Sequence, residues 1–252
     1  MTPNDPMSEY HFDYELPLAS GLDPIVKRAA RNERRVKGIV FAGDHSGAYY
    51  YDLATRHPVG ARAKRCVDLI ASTLLITMLA PLFLAIMALI KLTSKGPIMF
   101  RQKRIGFRCN QFEMYKFRSM EVDADLKESG TGMAFVKPKN DPRVTWIGKY
   151  LRKYSLDELP QLFNVLEGTM SLVGPRPLRE IDLAKLNRRS TVRRFATPPG
   201  ITGLWQVSGR SSSVGHKGLS LDRDYVDRWS LSLDFEILLR TVEVVFTGKG
   251  AV

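Results

Sequence analysis

A long apolar segment constrains this chain more than any other feature of its sequence. Residues 67–90 read VDLIASTLLITMLAPLFLAIMALI and contain one charged side chain, that of Asp68. A helix of that length can cross the hydrocarbon layer of a bilayer, which is about 30 Å thick. A buried core helix of a soluble protein is the alternative, but the length of the segment and its lack of a polar stripe disfavour it. The sequence therefore predicts a membrane segment.

Two features argue against a simple crossing of the membrane. Pro81 lies near the middle of the segment, where it removes a backbone hydrogen bond and kinks or breaks a helix. Both flanks are basic, with Arg62, Lys64 and Arg65 before the segment and Lys91, Lys95, Arg101, Lys103 and Arg104 after it. Because positive residues favour the cytoplasmic side, both ends prefer the same side. We therefore expect a re-entrant, monotopic anchor over residues 61–95, a helix-break-helix that turns at Pro81.

The chain differs in character on the two sides of this anchor. Residues 1–60 are basic and polar, without a sustained helical or strand period and without the apolar core of a secretory signal, which indicates a loosely ordered extension. Residues 96–252 are expected to form a compact cytoplasmic domain. Apolar and basic residues alternate around Gly96 and Gly106, as in a short β-hairpin. Apolar residues three and four apart over 231–245 predict an amphipathic helix that lies on protein or in the membrane interface. The predicted fold is mixed α/β and mainly helical.

The charge of the chain indicates an anionic partner. The sequence has 38 Lys and Arg against 26 Asp and Glu, a formal net charge of +12. Nucleic acid, anionic membrane lipid and phosphorylated small molecules all fit that charge. The sequence has no helix-turn-helix, RRM or zinc-finger signature, which argues against nucleic acid. Cys66 and Cys109, without a C-x-x-C or a nearby His pair, form neither a disulfide framework nor a zinc site.

Two adjacent carboxylates, Asp157 and Glu158, precede Pro160 in the stretch RKYSLDELPQLFNVL. Ser155 followed three residues later by Glu158 matches a capping box, which is the purely structural explanation. That box would make Pro160 the fifth helical residue, where its ring strikes a carbonyl, so Leu156 or Asp157 is the better N-cap. What remains is a carboxylate pair at a helix N-terminus. One carboxylate there can act as a nucleophile while its neighbour holds Mg²⁺ against a diphosphate.

Several other side chains are candidates for binding phosphate or a nucleotide sugar. Lys116 and Arg118 end the predicted hairpin close to the membrane surface, and phosphate contacts are favoured for them over the alternative, ordinary contact with interfacial lipid. Arg176 stands between two prolines in MSLVGPRPL, which suits a rigid charge clamp, with an exposed Pro-rich turn as the alternative. The loop ATPPGITGLWQVSGR can stack on and hydrogen-bond a base or sugar. The side chains that suit such contacts are Trp205, Gln206 and Arg210.

A D-x-D match at Asp123 and Asp125 is a weaker candidate for a metal site. Many nucleotide-sugar enzymes use such a pair to hold a divalent metal on a diphosphate. This pair lies in a Lys- and Gly-rich stretch, so a solvated turn is the favoured interpretation.

Two rival functions stay open. One is a metal-dependent glycosyltransferase that uses this pair without a covalent intermediate, and the other is a non-catalytic, membrane-tethered protein whose basic face binds anions.

The order of the motifs resembles that of a known family. The series KR…DL…P…KFRSM…SLDELPQLFNVL…MSLVGPRPL…PGITGLWQVSGR…LDRDYV is similar to the bacterial sugar transferases, the monotopic phosphoglycosyl transferases, over about residues 62–250. Within that family it resembles the small exopolysaccharide-initiating undecaprenyl-phosphate galactose or glucose phosphotransferases. The resemblance implies transfer of a hexose 1-phosphate from a UDP-sugar to undecaprenyl phosphate, with release of UMP. It also implies the cytoplasmic face of the bacterial inner membrane.

The resemblance implies roles for individual residues as well. Asp157 is then the nucleophile that forms an aspartyl phosphosugar, Glu158 binds Mg²⁺ and Arg152 holds the lipid phosphate. The remaining matches are Arg176, Lys116 and Asp222 in a charged network, and Pro81 at the family's helix break. The choice between galactose and glucose stays open at this point, as does pairing into a homodimer.

Overall fold

The computed structural model describes residues 53–122, 124, 141–180, 193–208 and 216–247. The helices are α1 Leu53–Arg56, α2 Pro58–Thr93, α3 Trp146–Lys153, α4 Gln161–Glu167, α5 Leu204–Val207, α6 His216–Asp227 and α7 Leu231–Thr247. The strands are β1 Met99–Ile105, β2 Gln111–Phe117, β3 Ser171–Val173 and β4 Gly200–Thr202. Two short 3-10 helices are named here the acidic turn, Leu156–Glu158, and the arginine turn, Arg193–Ala196. The predicted mixed, mainly helical class is confirmed. Asp123, Asp125, Arg210 and most of the predicted N-terminal extension lie outside the described residues.

The predicted membrane segment is part of α2, which is 36 residues long and contains Pro81. At a rise of 1.5 Å per residue, its length is about 54 Å. The helix continues through Pro81, so the predicted break of the helix is wrong, and a kink at this proline stays a prediction. A proline removes a single helical hydrogen bond, and the turns on either side can keep the helix intact. By length and composition α2 can cross a membrane; its re-entrant placement stays a prediction.

One side of α2 packs on the rest of the described structure along most of its length. Its buried residues recur on a single helical stripe: Lys64, Asp68, Ser72, Phe83, Ile86 and Ile90. Phe83 makes edge-to-face contacts with Phe117 of β2 and Phe163 of α4. The other side is apolar and exposed, as at Ile70, Leu74, Met78 and Leu84. The helix therefore has a stripe that faces protein and an opposite apolar face that none of the described residues covers.

A buried polar cluster fastens the first part of α2 to the domain. The Lys64 ammonium donates to the carbonyl of Val173 at 2.9 Å and to Asp234 at 2.7 Å. Asp234 also accepts hydrogen bonds from the Tyr225 hydroxyl at 2.7 Å and from the Trp229 indole at 3.2 Å. Breaking a buried ion pair by removal of one partner typically costs about 3–5 kcal/mol. The cluster thus fixes α2 against β3 and α7.

The strands position two of the basic candidates. β1 and β2 pair antiparallel, with Phe100 opposite Lys116, so the predicted hairpin is confirmed. β3 and β4 pair in parallel, with Ser171 opposite Gly200, where the sequence predicts only a loop. Lys116 lies on β2, and the chain that leaves β3 carries Arg176. The two small sheets therefore bring these cations to defined positions.

The main core joins α2 to the hairpin and to the helices and strands that follow it. Ile90, Phe117 and Val165 are among its most deeply buried members. Leu53 of α1 belongs to the same cluster. Residues 53–60, at the end of the segment that the sequence predicts as loosely ordered, are helical except at residue 57.

Candidate active site

Asp157 and Glu158 lie in the acidic turn, between α3 and α4. Ser155 precedes them in the left-handed conformation, with a φ of 56°, and its side chain makes no capping hydrogen bond. The predicted failure of the capping box is therefore confirmed. α4 begins at Gln161 with Pro160 as its N-cap, whereas the sequence predicts a cap three or four residues earlier. The carboxylates thus stand in a separate turn before the helix rather than in its first turn.

Glu158 is held by two cations from distant parts of the chain. The Lys116 ammonium lies 2.8 Å from Oε1 of Glu158, and the Arg176 guanidinium lies 3.3 Å from the same oxygen. The Glu158 side chain is 13% exposed, that of Lys116 15% and that of Arg176 32%. Such partly buried charges interact more strongly than fully solvated ones, because water screens them less. The structure thus brings three of the predicted site residues together.

Asp157 is buried beside this charged cluster, with a relative exposure of 9%. Successive residues of a 3-10 helix point about 120° apart, so the two acids have different surroundings although they are neighbours in sequence. The two adjacent carboxylates are therefore placed to take different roles.

Arg152 lies in the last turn of α3, shortly before the acidic turn. The pKa of the nearby Asp141 is lowered to about 2, mainly by hydrogen bonds from Arg143, and the charge of Arg152 contributes to this lowering.

The backbone that carries Arg176 is held at four successive carbonyls. The carbonyls of Pro175 and Leu178 accept hydrogen bonds from the backbone amides of Gly200 and Ile105. The two carbonyls between them, those of Arg176 and Pro177, accept from the guanidinium groups of Arg194 and Arg104. The prolines on either side of Arg176 also fix their own φ angles. This segment is therefore held on both sides of the residue that reaches Glu158.

Two predicted phosphate ligands have other surroundings. Arg118 is buried and donates to the carbonyls of Ser94 and Lys95, at 2.9 Å each. It therefore closes the C-terminal end of α2, where helix carbonyls lack helical partners. The carboxylate of Asp222 pairs with Arg194 at 2.6 Å, and its side chain is 1% exposed. Asp222 thus lies behind the site, in contact with a second arginine.

Trp205 and Gln206 of α5 are both buried. Trp205 packs in a small second core with Phe195 and Leu219, so its ring is not open for stacking on a base, contrary to the interpretation from sequence. Gln206 is 2% exposed, and within the part of the chain that the structure describes neither its amide nitrogen nor its amide oxygen has a hydrogen-bond partner. Its predicted role in binding a nucleotide sugar stays a prediction.

The residues at the site suit a metal that arrives with its substrate. Over the described ranges, no three His, Cys, Asp or Glu side chains come together as a preformed metal cage. Mg²⁺ commonly binds through one or two carboxylates and completes its shell with substrate phosphates and water. Asp157 and Glu158 match that ligand set, and Glu158 is the less buried of the two. A divalent ion bound with a diphosphate is therefore compatible with this site.

Arg194 contacts two of the predicted site residues, and the sequence does not reveal these contacts. It stands in the basic run RRSTVRRF, in which every arginine has the pattern of a solvated surface residue. Its partners, Arg176 and Asp222, lie 18 and 28 residues away in sequence. Only the tertiary structure brings them together.

Comparison with known proteins identifies the family. The model of the bacterial sugar transferase family matches residues 59–248. The chain is 39% identical to the exopolysaccharide production protein ExoY of Rhizobium meliloti (strain 1021) over 206 residues, which cover 77% of this chain and 90% of that protein. It therefore spans nearly the whole of that relative.

Two longer relatives match over part of their length. The galactosyl transferase CpsE of Streptococcus agalactiae serotype III is 46% identical over 164 residues, 62% of this chain and 36% of that protein. The undecaprenyl-phosphate glucose phosphotransferase of Komagataeibacter xylinus is 43% identical over 198 residues, 75% of this chain and 36% of that protein. The chain thus spans about a third of each. On the family match and the likeness to ExoY, this chain belongs to the bacterial sugar transferase family.

Proposed function

We propose that this protein transfers the 1-phosphate of galactose or glucose from a UDP-sugar to undecaprenyl phosphate and releases UMP. This is the first membrane step of exopolysaccharide synthesis. The relatives support the substrate classes, because they are named for exopolysaccharide production, galactosyl transfer and undecaprenyl-phosphate glucose phosphotransfer. The structural observation that carries the proposal is the acidic turn, where Glu158 meets Lys116 and Arg176 beside the buried Asp157.

The reaction consists of two displacements at one phosphorus atom. In the first, a carboxylate oxygen of Asp157 attacks the phosphorus that bears the sugar, the bond to the bridging oxygen breaks, and UMP leaves with the electron pair. In the second, a phosphate oxygen of undecaprenyl phosphate attacks the phosphorus of the aspartyl phosphosugar. A lipid diphosphate hexose forms and the Asp157 carboxylate is restored. Lys116 and Arg176 offset the negative charge of the phosphates in both steps.

Glu158 would hold Mg²⁺, which would supply positive charge against the phosphates of the donor. The pairs with Lys116 and Arg176 orient the Glu158 carboxylate before substrate binds, which lowers the entropic cost of forming the complex. Glu158 therefore contributes through charge and orientation, and Asp157 contributes the nucleophile.

Arg152 binds the phosphate of undecaprenyl phosphate. It lies on α3, whose exposed side chains include Trp146 and Tyr150 at 63% and 51%, and Tyr154, the C-cap of α3, is 45% exposed. Exposed Trp and Tyr are enriched at the depth of lipid headgroups, because each ring has an apolar body and a polar edge. A helix at that depth brings Arg152 to the level of the lipid phosphate, next to the acidic turn.

The packing of α2 supports a monotopic placement, and a kink at Pro81 within the continuous helix would make it re-entrant. Lys64 near its start and Ile90 near its end are both buried against the same domain. A helix that crossed the bilayer away from the domain would leave one end without these contacts. Both ends therefore stay on the side of the domain, the cytoplasmic face, and the exposed apolar face of α2 lies in lipid.

α7 also has a row of exposed apolar side chains. This row suits contact with the membrane interface and consists of Leu231, Phe235, Leu239 and Val242.

A panel of UDP-sugars with undecaprenyl phosphate tests the proposed function. We expect UMP release and a lipid-linked hexose with UDP-galactose or UDP-glucose. Exchange of labelled UMP into the UDP-hexose should occur without lipid acceptor, because the first displacement is reversible and needs only the donor. No product with any UDP-hexose would contradict the substrate class. Product without exchange would instead support a glycosyltransferase that acts in one step.

A further inference from the structure

We propose that Arg194 and Asp222 form a buried positioning pair that holds the backbone of Arg176 so that its guanidinium meets Glu158 and the substrate phosphates. The inference rests on the proposed function, because it assigns these two residues to the phosphoryl-transfer site. Their effect passes through Arg176, whose carbonyl accepts a hydrogen bond from Arg194.

The geometry links three separate parts of the chain. The Nη2 group of Arg194, in the arginine turn, donates to the carbonyl oxygen of Arg176 and also to Oδ2 of Asp222 on α6, the second at 2.6 Å. The side chains of Arg194 and Asp222 are 2% and 1% exposed. Nη2 of Arg194 therefore links the backbone of Arg176, whose guanidinium contacts Glu158, to the buried carboxylate of Asp222.

Stability alone does not account for this pair. Replacing a buried ion pair by apolar side chains of similar volume is often neutral or stabilising, because burial costs both charges their hydration. An apolar pair cannot supply a hydrogen-bond donor to the carbonyl of Arg176. The donor is therefore the contribution that is specific to Arg194, and Asp222 keeps the guanidinium in the orientation that supplies it.

The position of the Arg176 backbone matters for the site. The Arg176 guanidinium reaches Glu158 at 3.3 Å, at the outer limit of an ion-paired hydrogen bond. A displacement of about 1 Å at a positioning residue can cost on the order of 100-fold in rate. Release of the Arg176 carbonyl would therefore weaken phosphate binding and the rate without removing any charge from the site.

The test variant is Arg194→Met combined with Asp222→Leu in the full-length chain. It removes the buried charges together, so we expect it to unfold within a few degrees of the wild type. We expect kcat/KM with UDP-hexose and undecaprenyl phosphate to fall about 10- to 100-fold. The matched control is Arg193→Gln with Asp227→Asn. That pair joins the same two elements at 3.0 Å, with side chains 37% and 35% exposed, and its removal should leave the rate within about two-fold.

A double-mutant cycle with Arg176→Gln separates positioning from a structural role. If the pair acts through Arg176, the Met/Leu substitution should cost nothing further in the Arg176→Gln background, because the group that it positions is already gone. An equal loss in both backgrounds, or full activity in the Met/Leu variant, would overturn the proposal. Should the Met/Leu variant not fold, Arg194→Lys, which keeps a charge beside Asp222, takes its place in the same cycle. A wild type inactive with every UDP-hexose would instead refute the proposed function, and this inference with it.

Discussion

Lys116 on β2 and Glu158 in the acidic turn, 42 residues apart in sequence, form an ion pair of 2.8 Å with side chains 15% and 13% exposed. We expect Lys116→Gln to lower kcat/KM on the order of 100-fold, because it removes a cation placed where phosphate charge develops. Arg101→Gln is the matched control: the same hairpin loses a charge, but from a 3.5 Å surface pair that is 66% exposed on the arginine side. Equal losses in the two variants would mean that only the total charge of the hairpin matters.

Glu158→Gln is expected to raise the Mg²⁺ concentration needed for half-maximal rate and to lower the rate severely. The amide keeps the size of the side chain but is a poorer ligand for a hard cation. The measurement is a Mg²⁺ titration of UMP release by the wild type and the variant. Full turnover in excess chelator, or identical titration curves, would contradict the assignment of Glu158 to the metal.

Thiol labelling tests the monotopic placement of α2. Cys66, at the start of the apolar segment, is exposed, whereas burial raises the pKa of Cys109 to about 12 and leaves it little reactive thiolate. A membrane-impermeant maleimide applied to intact spheroplasts should label neither Cys66 nor a Lys95→Cys variant that lacks Cys66. Both should react after lysis. Labelling of either thiol from the periplasmic side would show that α2 crosses the membrane.

Asp222 is expected to make stability increase as pH falls. Burial raises the pKa of its carboxyl from 3.8 to about 6, although the charges of Arg194 and Arg176 lower it. Between these two values the folded state binds a proton that the unfolded chain does not, so folding gains stability as pH falls and loses it as pH rises. The measurement is the unfolding temperature of the wild type minus that of Asp222→Asn. We expect this difference to become more positive as pH is lowered from about 7 to about 5. A shift the other way would contradict the raised pKa.

Local signals in the sequence were enough to predict several elements. The apolar run predicts α2, the alternation around Gly106 predicts the hairpin, and the steric demand of Pro160 excludes the capping box. In each case the physical constraint acts within a few residues of the chain. The helix through Pro81 is the exception, because a proline removes only one helical hydrogen bond and the turns on either side can keep the helix intact.

Long-range partners could not be predicted in the same way. Lys64 and Arg65 count as a basic membrane flank in the sequence, yet Lys64 is paired inside the protein and Arg65 donates to the carbonyls of Val165 and Leu166. A sequence gives the charge of a side chain but not the distant group that compensates it. The positioning role of Arg194 was hidden for the same reason.

Mass spectrometry of the enzyme quenched during reaction with UDP-hexose tests the central claim most directly. The account predicts a hexose-phosphate adduct on Asp157, which disappears when undecaprenyl phosphate is added and which Asp157→Asn does not form. That substitution keeps the size of the side chain and most of its hydrogen bonding, so folding should change by no more than about 1–2 kcal/mol. Active enzyme that carries no adduct on Asp157, or an Asp157→Asn variant with normal turnover, would contradict the covalent mechanism.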